Sequence, residues 1–438
     1  MQLSQASSDL PTFIAQYPEL NSLPIASEQW WQTAAEIGTP LLVKMTEDLS
    51  EACFIWRNTV DYDVAAVYVD IHGITDHHSF NPDTFTRYKE TDLYYFCCQL
   101  PHAWRGAYAI VPVSELGLQP TYQGPIAEQK QQHRRWLLTT MHQFAVVDPL
   151  QKRNLPHCPW GQEFSPYSMP DAPSQPGWQP FDQSGGQLRG QAHLETFNWH
   201  SESMKKSRRV WLYSTAPEGT SDIPLVILQD GDFWAEELPI FSALDDNTHS
   251  GYLPPAVYVM IDAINPRHRG EDLPCNPAFW QAIQKELLPI VDTYYSVTKD
   301  PLKTVVAGQS YGGLTSMYAA LNWPHRFGCV VSSSGSFWWP HRQQIRQTSK
   351  DESLPELDAK FVDFIENELD KKAVIRSYLD VGLREKRMVE LNKQVADALL
   401  QHGQSHTKYV VYDGGHERLC WRGGLMQGLH YVLSGHTD

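Results

Sequence analysis

The pentapeptide Gly308–Gly312 contains the clearest candidate for a reactive side chain, because it reads G-x-S-x-G. The apolar, partly β-branched run Thr304–Ala307 before it is typical of a buried strand. After it, Gly313–Leu321 carries apolar residues at helical spacing, and Pro324 marks the helix end. A serine on such a tight strand-to-helix turn holds its hydroxyl outward. We therefore predict that Ser310 is the nucleophile of an α/β-hydrolase. The alternative is a serine that only caps the helix.

A nucleophilic serine needs a base and usually an acid, which should follow later strands of the same sheet. His416 stands in a D-G-G-H-E turn directly after the last predicted strand, and it can take the Ser310 proton and return it to the leaving group. The alternative is a surface-loop histidine. Glu385, just past the predicted strand Ile375–Val381, is the preferred acid. Asp380 is the second choice, and a Ser–His dyad without an effective acid stays open.

Acyl transfer also needs two backbone N–H groups that stabilise the oxyanion. We expect one from Tyr311, which follows the nucleophile. We expect the other from Asp232, in the glycine-containing loop after the predicted strand Leu225–Leu228.

These residues need a sheet that gathers strand ends at one edge. Residues 190–438 alternate short apolar strands with amphipathic helices, which predicts a doubly wound, mostly parallel α/β sheet. Residues 27–154 read mainly as short apolar or alternating strands, typical of an all-β sandwich, with one helix near the end. Residues 1–26 are predicted to be a loosely ordered tail. Residues 155–189, with seven prolines and four glycines, are predicted to be an extended connection.

Composition excludes several function classes. The 438 residues carry a formal net charge of −16, which argues against nucleic acid or an anionic membrane as partner. Seven scattered cysteines without C-x-x-C suggest neither a zinc site nor a disulfide framework. The absence of a signal-like start or a long apolar stretch predicts a cytoplasmic protein. His72, His77 and His78 lack a convincing ligand spacing, so we interpret them as polar loop histidines and expect no metal site.

Longer strings in both halves resemble the enterochelin (enterobactin) esterase family, whose members hydrolyse the trilactone of ferric catecholate siderophores. The resemblance covers nearly the whole chain and rests on Ser27-Glu-Gln-Trp-Trp31, Gly73-Ile-Thr-Asp-His-His78, Trp104-Arg-Gly106, Asp230-Gly-Asp-Phe-Trp234, Leu273-Pro-Cys-Asn276, Trp338-Trp-Pro-His-Arg342 and Leu419-Cys-Trp-Arg-Gly-Gly-Leu425.

The resemblance implies an esterase-D-type hydrolase behind an immunoglobulin-like N-terminal domain. It also implies Ser310 as nucleophile, His416 as base and Glu385 at the place of the acid. The string Arg269-Gly-Glu-Asp272 departs from it, with aspartate where the family pattern has glutamate. No cofactor is implied, because the iron arrives with the substrate.

An anionic complex with catechol rings requires cationic and aromatic side chains. The candidates for substrate binding lie in or near predicted loops, and they are Arg105, Arg209, Arg269, Trp234, Trp338, Arg384 and Arg422. Trp104, beside the first of them, is equally compatible with a substrate surface and with core packing.

The prediction is a cytoplasmic serine esterase for ferric enterobactin-type siderophores, a monomer or weak homo-oligomer. Two alternatives remain. One is a broader esterase for aryl or feruloyl esters, and the other is a siderophore-binding protein with a vestigial hydrolase site. Which catecholate is preferred, and whether glucosylated or iron-free forms are accepted, stays open.

Overall fold

The computed structural model describes residues 9–152, 164–184, 193–341 and 360–434. These residues form two compact units. The first contains 9–152, 164–173 and the short segment 413–419, and the second contains 174–184, 193–341, 360–412 and 420–434. We describe each unit by itself.

The first unit contains two antiparallel sheets, with strand orders β1-β2-β5-β4 and β3-β6-β7, which confirms the all-β prediction. Alternating apolar residues of both sheets form its core. Its strands are β1 (Leu41–Lys44), β2 (Leu49–Arg57), β3 (Ala66–Ile71), β4 (Thr86–Arg87), β5 (Leu93–Pro101), β6 (Arg105–Val113) and β7 (Ser165–Ser168). Its helices are α1 (Leu10–Ile14), α2 (Pro18–Asn21), α3 (Glu28–Ile37) and α4 (Ile126–Phe144).

The predicted N-terminal tail is wrong from Asp9 onward, because α1 and α2 pack into the first unit. Leu10 and Leu20 are fully buried in one apolar cluster with Trp30. Helices this short have little stability of their own, so tertiary packing holds them. The two helices, of 5 and 4 residues, are too short to show a helical hydrophobic period in the sequence.

The predicted extended connection is also wrong in part. Strand β7 lies within it and pairs antiparallel with β6. It tolerates Pro166 because it is an edge strand, where a missing N–H need not break a ladder. The second unit begins at residue 174 rather than 190, and Trp178 is fully buried in it, as its size favours. Trp104 is likewise fully buried, so it is a core residue of the first unit.

The second unit is built on one eight-stranded sheet of order β15-β14-β13-β12-β10-β11-β9-β8, and it has the predicted α/β-hydrolase architecture. Six strands pair in parallel, while at one edge β9 pairs antiparallel with β11 and β8 pairs antiparallel with β9. The strands are β8 (Leu194–Ser201), β9 (Lys206–Ser214), β10 (Leu225–Gln229), β11 (Val257–Ile261), β12 (Thr304–Gln309), β13 (Cys329–Ser333), β14 (Arg376–Gly382) and β15 (Thr407–Tyr412).

Two apolar clusters cover this sheet, one on each face. Leu225 and Ile227 belong to one cluster, and Val226 and Leu228 belong to the other, as alternation along a doubly covered strand requires. The helices are α5 (Gln179–Gln183), α6 (Phe241–His249), α7 (Pro266–Asp272), α8 (Pro277–Ala282), α9 (Leu288–Tyr294), α10 (Tyr311–Asn322), α11 (Lys360–Asn367), α12 (Arg387–Gln401) and α13 (Arg418–Ser434), of which the first two residues of α13 group with the first unit. Within the described ranges, no helix is long and apolar enough to cross a membrane.

Candidate active site

Ser310 sits at a sharp turn between β12 and α10, with φ 58° and ψ −116°. This left-handed φ is strained for a residue with a Cβ, as in a nucleophile elbow. The flanking glycines permit the turn, because a Cβ at Gly308 would lie 2.7 Å from the carbonyl carbon of Gly312. The Ser310 side chain makes no capping hydrogen bond, which argues against the helix-cap alternative.

The chain after β13 braces the elbow. Ser310 N donates to Ser333 O at 2.9 Å, and Ser336 N donates to Ser310 O at 3.1 Å. The hydroxyl oxygens of Ser310 and Ser336 lie 3.3 Å apart. Buried Asn392 holds this loop from behind by bonding both N–H and C=O of Gly335. Sequence analysis missed Ser336 and Asn392, although the serine-rich run after β13 was a visible signal.

The two residues predicted for the oxyanion hole follow neighbouring strands. Strands β10 and β12 are parallel partners in register at Leu228 and Ala307. Asp232 and Tyr311 each stand in the first turn of a helical segment. The first N–H groups of a helix have no partner within it, so such positions can offer donors to a ligand. The carboxyl pKa of Asp232 is raised by burial and by neighbouring carboxylates.

Arg269 connects these two strand ends. Its guanidinium donates to both carboxylate oxygens of Asp230, at 2.6 and 2.7 Å, and to Gln309 O at 3.3 Å. It also lies over the Tyr311 ring, 5.7 Å from the centroid. Burial lowers the Arg269 pKa, but Asp230 outweighs it and the pKa is raised. Predicted as a substrate ligand, Arg269 here joins the carboxyl ends of β10 and β12, and substrate contact stays a prediction.

The two acid candidates have different surroundings. Glu385 Oε1 accepts hydrogen bonds from Ser334 Oγ at 2.5 Å, from Gly382 N at 2.8 Å and from Tyr412 OH at 3.3 Å. Such donors favour the ionised form that orients a histidine. Asp380 is fully buried, and burial raises its pKa to about 7. The geometry therefore favours Glu385 over Asp380.

Ser334 links Glu385 to the helix that follows the histidine turn. Its φ is 47°, and its hydroxyl accepts a hydrogen bond from Trp421 Nε1 at 3.0 Å while donating to Glu385. Ser334 belongs to the same serine-rich run, but its role was not predictable because its hydrogen-bond donor, Trp421, lies 87 positions away.

His416 is exposed and follows β15 by four residues, in the segment 413–419. This position matches the chain order expected of a hydrolase base. Its catalytic role stays a prediction. The next residue, Glu417, is fully buried within the first unit.

Two of the predicted substrate ligands are structural residues. Trp234 is 1% exposed and packs edge-on against Phe233. Arg422 is 2% exposed, pairs with Asp182 through two hydrogen bonds of 2.7 and 2.8 Å, and lies over Trp178. Both side chains lie in the core, which the sequence did not show, and their contact with substrate stays a prediction.

The other predicted ligands stay predictions. Trp338 packs 5.6 Å from the Tyr311 ring, beside the elbow. Arg209 pairs with Asp262 and Glu236 and is 44% exposed. The remaining two are half-buried. Arg384 lies two residues after β14, and Arg105 lies at the start of β6 with its Nε donating to Ser168 Oγ.

In the part of the chain that the structure describes, no group of three or more His, Cys, Asp or Glu side chains is arranged to hold a metal ion. The residues of the candidate site are a serine on an elbow, helix-start amides and a hydrogen-bonded carboxylate. This is the equipment of acyl transfer.

Two family models match the chain. The family described as "Enterochelin esterase, N-terminal" matches residues 51–178, and the one described as "Putative esterase" matches residues 201–432. The two matches fall on the β-sandwich and on the α/β sheet respectively.

Several relatives are similar over nearly their whole length. The iron(III) enterobactin esterase of Dickeya dadantii (strain 3937) is 38% identical, covering 95% of both chains. That of Escherichia coli (strain K12) is 36% identical, over 94% of this chain and 97% of the relative. The crystal structure of ferric enterobactin esterase from Salmonella typhimurium matches with a TM-score of 0.79 at 37% identity, covering 93% of this chain and 99% of that one. An enterobactin esterase from Shigella flexneri, crystallised in the presence of enterobactin, gives 0.75 at 34% identity, with 94% and 99% covered.

Proposed function

The chain belongs to the enterochelin esterase family, and on that premise we propose that it is a serine esterase that hydrolyses the trilactone of ferric enterobactin. The observation that carries the proposal is Ser310 on its strained elbow, next to helix-start amides. The substrate class follows from relatives that are named for it and align from end to end.

In the proposed reaction, Ser310 Oγ attacks a lactone carbonyl while its proton moves to His416. The amides of Tyr311 and Asp232 stabilise the negative charge that develops on the carbonyl oxygen. As the tetrahedral intermediate collapses, His416 gives its proton to the departing seryl oxygen, and the ring opens as an acyl-enzyme. Water then repeats the sequence and releases a linear product. Glu385 keeps the His416 imidazole oriented and stabilises its cation.

Ring opening explains how an esterase would serve iron release. The closed trilactone holds three catecholates in position around the metal. A linear chain loses this preorganisation and pays an entropic cost to chelate. The iron belongs to the substrate, and the protein supplies no cofactor.

Charge must also be managed at the site. A protein with net charge −16 repels an anionic complex unless cations gather locally. Arg209, Arg384 and Arg105 are the candidates, with Trp338 as an aromatic face beside Ser310. A cytoplasmic location is part of the proposal, supported by six described cysteines that are all free thiols.

The test is chromatography of products after incubation with ferric enterobactin. Wild-type protein should release linear trimer, dimer and monomer of dihydroxybenzoyl-serine, and Ser310→Ala should release none. Ser203→Ala, an exposed serine of the same unit, is the matched control and should keep full activity. Cleavage of simple aryl esters without cleavage of the trilactone would contradict the substrate and favour the broader esterase. Normal trilactone cleavage by Ser310→Ala would contradict the mechanism.

A further inference from the structure

A buried ion pair in the first unit lies one residue away from His416. His72 Nδ1 is 2.6 Å from Glu417 Oε2, and the Glu417 side chain is fully buried. The His72 side chain is 13% exposed. His72 lies in the turn directly after β3, and its ring is largely enclosed, with carboxylates facing it.

Glu417 is an anchor for the segment that carries His416. Its Oε2 also accepts a hydrogen bond from Ala107 N at 3.2 Å, and its Oε1 accepts one from Leu419 N at 3.0 Å. The first bond ties the segment to β6, and the second caps the first turn of α13. One carboxylate thus fixes the histidine turn to a strand, a helix start and His72.

His72 is itself rigidly held. Its backbone N donates to Ala107 O at 3.0 Å, and its backbone O accepts from the buried Trp104 Nε1 at 3.1 Å. Its ring packs 5.5 Å from that of Phe164. The backbones of the two turns also lie close together at Gly73 and Gly415, since a Cβ at Gly415 would lie 2.9 Å from the Gly73 Cα.

We propose that His72, acting through Glu417, is a positioning residue that holds the base His416 in its reactive place. The inference rests on the proposed function. His416 and Glu417 are consecutive, so their Cα atoms are about 3.8 Å apart and a shift of the carboxylate moves the base. Because a misplacement of about 1 Å can cost about 100-fold in rate, a modest shift is enough.

The charge state of His72 makes the strength of the His72–Glu417 pair depend on pH. Burial lowers the His72 pKa, but attraction to Glu417 and Asp70 outweighs burial and the opposing Arg418, so the pKa is raised above its ordinary value of 6.5. Protonation of His72, and with it the cationic pair, is therefore favoured relative to a free imidazole. It is lost as pH rises through the raised pKa, and the hold on the histidine turn weakens.

The experiment compares steady-state hydrolysis of ferric enterobactin by wild type and His72→Gln, across pH and well below the unfolding temperature. We expect kcat to fall about 10- to 100-fold at neutral pH, with KM changed less than about threefold. The alkaline decline of wild-type kcat should be absent in His72→Gln, because the amide does not titrate.

The matched control is His102→Gln. His102 lies in the same unit, is 12% exposed, and contacts Ser50 Oγ at 2.7 Å and Asp171 at 3.6 Å. The substitution His102→Gln should lower the thermal midpoint about as much as His72→Gln does, while kcat and its pH profile stay as in wild type. If His72→Gln does not fold, Glu417→Asp is the second test variant. It keeps the charge but withdraws the carboxylate from His72, and it should show the same selective loss of kcat.

Two outcomes would overturn the inference: a His72→Gln kcat near that of wild type with a lowered thermal midpoint, or an equal kcat loss in His102→Gln. The rate of Ser310 labelling by a fluorophosphonate is a second readout. It needs a placed base but no siderophore, so it should fall in His72→Gln as kcat does. A wild-type protein that is labelled at Ser310 yet leaves ferric enterobactin intact would refute the proposed substrate. The labelling rates of wild type and His72→Gln would still test the role of His72.

Discussion

Replacing Arg269 by lysine tests whether this residue positions the oxyanion loop or binds substrate. Arg269 holds Asp230 through two hydrogen bonds and reaches Gln309 O, so it joins the residues just before both predicted oxyanion donors. Asp230 has φ 57°, a strained value for a non-glycine residue, and is 6% exposed. The conformation of this buried carboxylate and its strained turn therefore depends on the hydrogen bonds from Arg269.

The magnitude follows from what lysine can replace. A lysine side chain in this place is a point charge without the planar fork, so Arg269→Lys loses at least one charge-assisted hydrogen bond to Asp230. Such a bond contributes about 1.5–3 kcal/mol to stability. Removing a whole oxyanion donor costs about 100- to 1000-fold in kcat, so a loosened donor should cost about 10- to 100-fold, or about 1.4–2.7 kcal/mol of activation free energy.

The assay is ferric enterobactin hydrolysis with kcat and KM determined separately, beside the free energy of unfolding in urea. Positioning predicts lower kcat at nearly constant KM, because the donors act mainly on the transition state. Arg267→Lys is the control. Arg267 lies on the same helix and is 83% exposed with Glu271 as partner, so its change should alter neither quantity measurably. A rise in KM of about tenfold with kcat unchanged would refute the positioning role and restore Arg269 as a substrate ligand.

Three further predictions concern charged side chains. Glu385→Gln should lower kcat about 100-fold or more, whereas Asp380→Asn should leave kcat within about threefold. Because the folded pKa of Asp380 is raised to about 7, wild-type stability should fall by about 4 kcal/mol as pH rises from about 4 to about 7 through this group. Urea unfolding of Asp380→Asn should lack this slope, and an unchanged slope would contradict the assignment. Arg422→Ala should lower unfolding free energy by about 3 kcal/mol, since it strands Asp182, and should leave KM unchanged; a raised KM would contradict its structural role.

Local signals predicted the nucleophile and the frame around it. The G-x-S-x-G turn, its strand and its helix are contiguous, so their pattern can be recognised without knowing any long-range contact. The observed φ of Ser310 agrees with that interpretation. Strand and helix alternation predicted the sheet for the same reason, since each element carries its own period.

Long-range burial was not predictable in this way. Trp234 and Arg422 have the residue types of ligands, and only the packing of α5 and the β10 loop shows that they are internal. The reverse error occurred at residues 9–21, where polar and proline-rich segments hide two packed helical turns. In both cases the deciding contacts join residues far apart in sequence.

Counting arginines overestimates the positive charge that this site offers to an anion. Arg269 is neutralised by Asp230 and Arg422 by Asp182, so neither contributes a full charge to the surface. Arg209 is 44% exposed and its partner Glu236 is 50% exposed, so this pair is held by about 0–1 kcal/mol, whereas its second partner, Asp262, is 9% exposed. An approaching tris-catecholate can therefore displace Glu236 from Arg209 at little cost, whereas it cannot displace a buried carboxylate. Selectivity for the substrate's charge should accordingly depend on exposed arginines such as Arg209, and the buried pairs should set the geometry on which the rate depends.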